Sequence, residues 1–164
     1  MPIGDNMPIR PRNTMPAGSR VGNTEPVGEA QPINACQIDI RVRYAEVDAM
    51  GYLHHARYLV YFEIGRTELL RINGIHYADM ERRGLFYVVA RAECRFRAPA
   101  HYDDLLTLTT QTERLSYVRV DHCYELCHGD TILAQAHTTL ALVNQQGTPT
   151  RLPDDLYRLL TCGS

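Results

Sequence analysis

Two hydrophobic periods that cannot belong to the same element follow one another in this chain, and their order limits the fold more than any other feature. From Ala56 to Asn73 the segment ARYLVYFEIGRTELLRIN shows no alternation, and Tyr58, Leu59, Val60, Tyr61, Phe62 and Ile64 make its first half apolar around most of the circumference. From Leu85 onward the period becomes two, in runs covering 85–97, 105–114, 117–127 and 131–143. The first pattern predicts a helix enclosed by other structure, and the second predicts four half-buried strands. Such a sheet covers such a helix by curling around it.

The flanking signals complete the outline. Residues 37–44, QIDIRVRY, predict an earlier strand with Ile38, Ile40, Val42 and Tyr44 on one face and Gln37, Asp39, Arg41 and Arg43 on the other. Asn73 and Gly74 stop the long helix, and a short second helix is expected from Tyr77 to Arg83, ended by Gly84. Pro99 with Asp103 and Asp104, the tight His128-Gly129-Asp130 link, and the polar stretch 144–149 separate the strands, which read as consecutive antiparallel hairpins. Pro153 opens a terminal helix with Asp154 and Asp155 in its first turn, where acidic groups suit the helix dipole. The expectation is an α+β domain with five antiparallel strands. Its free edges invite pairing between subunits, so at least a homodimer is expected.

Composition removes whole classes of chemistry. The 164 residues suit one domain. Residues 1–35, with repeated Pro, Gly and Asn, are expected to form a flexible tail ahead of a domain spanning 36–161; Met7 and Met15 leave a downstream translation start open. All 17 basic residues are Arg, so a Walker-A lysine, a Schiff-base lysine and a pyridoxal-phosphate anchor are excluded within this sequence. Serine occurs only at 19, 116 and 164, without a Gly-x-Ser-x-Gly elbow. A net charge of −2 with interleaved Arg, Asp and Glu argues against a nucleic-acid partner.

No continuous apolar run reads as a secretory signal or a membrane span. The five cysteines are therefore expected as reduced thiols in a cytoplasmic setting. Cys123 and Cys127 stand beside His122 and His128, but strand residues four apart are separated by about 13 Å, so no metal site is expected there.

The segment YAEVDAMGYLHHARY, residues 44–58, carries the chemistry. Asp48 opens an Asp-x-x-Gly turn that runs into the helix start at His55. A helix N-terminus presents N–H groups without intrahelical partners, able to receive an oxyanion, and a carboxylate seven residues earlier can serve as base or nucleophile. On the residues alone, an ordinary turn aspartate is the simpler reading of Asp48.

The run RVRYAEVDAMGYLHHARYLVYFEIGRTELLR, followed by FYVVARAECRFRAPAHYDDLLTLTT, resembles the hotdog-fold acyl-CoA thioesterases of the 4-hydroxybenzoyl-CoA thioesterase and YbgC type, over Ile38 to about Leu156. The resemblance implies a hotdog fold, an antiparallel five-stranded sheet curled around one long central helix. It further implies hydrolysis of an acyl-CoA thioester to free CoA and a carboxylic acid, with active sites at a subunit interface in a homodimer or homotetramer.

Asp48 then falls on the catalytic carboxylate, His55 on the residue whose backbone N–H polarises the carbonyl, and Tyr58 on the aromatic residue at the helix start. Glu63 is expected near the acyl pocket, with an ion pair to Arg66 as the simpler reading. Arg91, Arg95 and Arg97 share a strand face and are candidates for CoA phosphates, with a solvated face or subunit contact as the simpler reading. Tyr58, Tyr61, Phe62 and Cys94 are expected in the core. No cofactor is expected, since CoA is part of the substrate. His54 departs from the family pattern and leaves the roles of the two imidazoles open. A dehydratase acting on 3-hydroxyacyl thioesters and a non-catalytic acyl-CoA-binding module are the alternatives.

Overall fold

The computed structural model describes residues 35–161. The expected N-terminal tail lies outside the described residues except for Ala35, which begins the first strand, and Cys162 also lies outside them. The elements run β1 (Ala35–Arg41), a 3-10 turn (Tyr44–Glu46), α1 (His55–Ile72), α2 (Tyr77–Arg82), β2 (Phe86–Phe96), β3 (Leu105–Leu115), β4 (Arg119–His128), β5 (Thr131–Val143) and α3 (Asp154–Thr161). α1 and β2–β5 stand where the two hydrophobic periods place them, α2 and α3 follow their start and stop signals, and β1 begins and ends earlier than the expected 37–44.

The strands form one antiparallel sheet in the order β1-β3-β4-β5-β2. This corrects the expectation of consecutive hairpins. Only β3–β4 and β4–β5 are hairpin neighbours, whereas β2 pairs with β5 at the far edge and the 98–104 connection crosses back to β3. Alternation specifies which face of a strand is buried and says nothing about its neighbour. In the β4–β5 link His128 pairs with Thr131, and Gly129 takes φ +56°, the left-handed first central position of a type II′ turn.

Register shifts near Ala90 in β2, Glu113 in β3 and Leu133 in β5 interrupt the ladders. Each extra residue increases local twist and bend, which lets the sheet curl over α1. The inner face presents Leu106, Leu108, Tyr124, Leu126, Ala134 and Ala136 to Tyr58, Tyr61 and Phe62 of α1, with Cys94 packed against the same cluster. Phe62 stacks on Tyr124 at 4.7 Å between ring centroids. Gly65 allows the closest approach: a Cβ there would stand 2.2 Å from Thr110 Oγ1 and 2.9 Å from Leu108 Cδ2. A second cluster, including Ile75, Met80, Leu152, Leu156 and Leu160, brings α2 and α3 against the other end of the sheet.

Two expectations about burial are corrected. The long helix is covered on one side only, and Leu59, Val60 and Ile64 remain 46%, 40% and 40% exposed. A single curled sheet covers part of a cylinder, so the remaining apolar stripe has no partner within the described chain. Tyr44 is 78% exposed rather than strand-buried, because β1 ends at Arg41 and the chain turns into the 3-10 segment.

Candidate active site

The loop between the 3-10 turn and α1 is held by its own backbone. Asp48 N–H donates to Tyr52 O at 2.8 Å, and Gly51 N–H donates to Asp48 O at 2.9 Å. Gly51 makes the reversal at φ +80°, a conformation that a side chain would strain. Leu53 N–H donates to Ala100 O at 2.8 Å and Tyr52 bridges to His101, so the 98–104 crossover straps the loop to the sheet.

Within this frame Asp48 uses one carboxylate oxygen structurally. Its Oδ1 accepts from Met50 N–H at 2.8 Å and from Tyr52 N–H at 3.2 Å. Its Oδ2 accepts no hydrogen bond among the described residues. The turn role and a chemical role are therefore compatible: one oxygen fixes the side chain and the other remains available.

The helix start is equally selective. His54 is the N-cap, its Nδ1 accepting from Ala56 N–H at 3.3 Å, while Arg57 N–H donates to His54 O at 2.8 Å. The His55 N–H has no partner among the described residues. His54 thus takes the capping duty that Ser or Asp usually performs. Its ring lies 4.2 Å from that of His55 between centroids, and both residues are exposed.

Beneath the loop is a carboxylate that the motif did not single out as functional. Glu46 is only 2% exposed. Its Oε2 accepts from Arg43 N–H at 2.9 Å and Tyr61 O–H at 2.7 Å, and its Oε1 accepts from the Arg43 guanidinium at 2.5 Å. Burial opposes its ionisation, but these donors together outweigh that cost and hold the carboxyl at about 2, well below the usual range. Burial and the Glu46 carboxylate push the Tyr61 phenol upward, so the phenol keeps its proton. Glu46 O also accepts His54 N–H at 2.9 Å, joining this anchor to the helix start.

Tyr58 is buried, with its ring edge-on to Phe96 at 4.9 Å, and burial raises its phenol pKa. It forms the floor under the helix start. Glu63 pairs with Arg66 at 3.2 Å, as the i,i+3 spacing predicts, and both line a cavity of about 270 Å³ between the second half of α1 and the inner sheet face. From His55 to Glu63 the helix rises about 12 Å.

Arg91 and Arg95 pair in register with Thr139 and Gln135, which places them on the outer face of the sheet, away from α1. Arg91 contacts Glu93 at 3.1 Å, and Arg97 reaches Gln135 at 3.4 Å. The structure therefore brings Asp48, His55 and Tyr58 into one region and leaves the three arginines on another surface of the chain. Cys123 lies on that outer face and His122 on the inner one, so these neighbours point to opposite sides.

Comparison with known proteins gives the family and the fold. Residues 42–160 match the family model of the thioesterase-like superfamily. The chain is 31% identical over 112 residues to the acyl-CoA thioesterase YbgC of Haemophilus influenzae, covering 68% of this chain and 82% of that one. The crystal structure of a "Probable Thioesterase" from Bartonella henselae superposes with a TM-score of 0.69 at 38% identity, covering 73% of this chain and 99% of that one. A hypothetical protein from Thermus thermophilus gives a TM-score of 0.73 at 34% identity, with coverages of 77% and 95%.

Proposed function

This chain belongs to the thioesterase-like superfamily, and from that premise we propose that it hydrolyses acyl-CoA thioesters at the start of α1. The observation that carries the assignment of residues is that His55 N–H and Asp48 Oδ2, at the two ends of the loop before α1, are without a hydrogen-bond partner among the described residues.

The thioester carbonyl oxygen gains negative charge as the carbon becomes tetrahedral. The His55 N–H, fixed at the helix start, receives that charge without reorganisation, and one such donor contributes about 3 kcal/mol of transition-state stabilisation. Asp48 then acts in one of two ways. It attacks the carbonyl carbon, expelling the CoA thiolate and leaving an anhydride that water cleaves, or it takes a proton from water as that water attacks. Either route yields a carboxylic acid and CoA thiol. Glu46 and Tyr61 act by positioning: they hold the strand-to-helix passage from which both groups project.

A second copy of the chain completes the assembly in this proposal. The apolar stripe of Leu59, Val60 and Ile64, together with exposed Val88, Val89 and Phe96 on the edge strand β2, is the kind of surface that a homodimer buries. Sedimentation should give a dimer or tetramer, and a monomer at micromolar concentration would refute this element. Arg91, Arg95 and Arg97 supply an exposed cationic surface for CoA phosphates. Cys36, Cys94, Cys123 and Cys127 are free thiols, which supports a cytoplasmic, reducing setting. No helix among the described residues is long and apolar enough to cross a membrane.

The decisive assay is thiol release from short, long and aromatic acyl-CoAs by the wild type and Asp48→Asn. The amide oxygen of Asn can keep the bonds from Met50 and Tyr52, so the variant should fold normally while turnover falls by about 10²–10⁴-fold. Undiminished turnover by that folded variant would remove Asp48 from the mechanism.

A further inference from the structure

The cavity beside α1 has a chemical asymmetry that a simple alkyl pocket does not need. Half of its lining is aliphatic, including Leu69, Leu70, Leu115, Val120 and Leu140, while Arg66, Thr112 and His122 make a polar corner. Thr112 and His122 are cross-strand partners on the inner face of β3 and β4. His122 is 6% exposed, and its Nδ1 is buried without a hydrogen-bond partner. Such an orphaned polar atom costs a fold about 1–3 kcal/mol unless something meets it.

The charge state of the corner defines what fits. Burial, reinforced by the nearby Arg66 cation, lowers the His122 imidazole to about 4, so at neutral pH the ring carries one donor and one acceptor nitrogen. Arg66 already has a counter-ion in Glu63 at 3.2 Å, which stands largely in solvent at 67% exposure. A carboxylate or ammonium entering it would meet the same desolvation that keeps His122 neutral. A hydroxyl both donates and accepts, and so satisfies Nδ1 in either tautomer.

A volume of about 270 Å³ equals roughly nine waters at ~30 Å³ each, room for an apolar body of similar heavy-atom number.

We propose that this cavity receives the far end of a long acyl chain whose thioester lies at His55, and that His122 Nδ1 selects chains carrying a neutral hydroxyl at that end over unsubstituted ones of the same length. The proposal rests on the hydrolytic reading above and names the substrate class for it. His122 acts as a specificity residue that touches the acyl group away from the bond being broken.

Binding and turnover test it separately. Tetradecanoate and a series of hydroxytetradecanoates, with the hydroxyl at successive carbons toward the chain end, are titrated into the full chain while the His122 imidazole resonances are followed by NMR. At least one hydroxy acid should bind about tenfold more tightly than tetradecanoate and shift those resonances, whereas His122→Leu should bind both acids within about twofold of each other. Equal affinities across the wild-type series, unmoved His122 resonances, or a preference that survives His122→Leu would overturn the proposal. The NMR arm decides even if the leucine variant does not fold.

In the second arm, the wild-type kcat/KM ratio for the matching hydroxyacyl-CoA over tetradecanoyl-CoA should also be about ten, falling to about one in His122→Leu. A flat wild-type ratio with active hydrolysis refutes the selectivity alone. Absence of thiol release from every acyl-CoA refutes the hydrolytic reading, while the binding arm still judges the cavity.

Discussion

Replacing Glu46 by Gln preserves the shape of the buried anchor and removes its charge, which makes the network's contribution measurable. Two carboxylate oxygens accept from three donors: Arg43 N–H, the Arg43 guanidinium and Tyr61 O–H. A glutamine offers one oxygen. Placed at the Oε2 position it keeps Arg43 N–H and Tyr61 O–H, but its NH₂ then faces the guanidinium, which must turn into water.

The folded-state depression from 4.5 to about 2 corresponds to at most about 3 kcal/mol. Because the Arg43 side chain is 73% exposed and its charge is screened, the expected loss at pH 7 is about 1–2 kcal/mol. For a domain of this size that lowers Tm by about 3–8 °C. The sign of the pH dependence follows from a depressed carboxyl: its stabilisation is fully present above the unfolded value of 4.5 and fades as pH falls toward 2. Urea unfolding of both proteins at fixed concentration, at pH 7 and pH 3.5, should therefore show a gap that narrows in acid. No gap at pH 7, or an equal gap at both pH values, would show that the network does not stabilise through its charge.

Three other outcomes follow from local geometry. Gly65→Ala should lose about 1–3 kcal/mol despite the better helix propensity of Ala, since the new Cβ meets Thr110 Oγ1 at 2.2 Å, and adding Thr110→Ala should recover part of it; additive losses in the double-mutant cycle would contradict the clash. His54→Ala should cost about 0.5–2 kcal/mol by leaving Ala56 N–H uncapped, with His54→Asn restoring most of it in thermal melts; an Ala variant as stable as wild type would show that the cap contributes nothing. His122 is buried neutral, so the unfolded state takes up its proton first: stability should decline as pH falls from 6.5 toward 4, by up to about 3 kcal/mol, and His122→Leu should flatten that portion of the stability curve; an unchanged slope would mean that another group is titrating.

The parts of the site legible in the sequence are those built from near neighbours. Asp48, Met50, Gly51 and Tyr52 make a turn through contacts four residues apart or fewer, and such turns are written in Asp and Gly. The His55 helix start, the Asn73-Gly74 stop and the four alternating runs are local in the same sense. His54 as a cap is also local, yet imidazole is an unusual capping group, so residue type alone did not identify it. Glu46 was visible as a motif position, but its burial under Tyr61 depends on a contact fifteen residues away.

The sequence by itself determined the alternation of faces, the helix ends, the Asp48 turn and the absence of lysine chemistry, because each depends on residue identity and short-range backbone preference. Only the tertiary structure decided that β2 lies at the far edge beside β5, that one side of α1 stays uncovered, that His122 faces the cavity while Cys123 faces outward, and that Asp48 keeps one oxygen unbonded. Those outcomes depend on which distant surfaces meet when the bulged sheet curls, and on which polar atoms are left over after the closer pairings have been made.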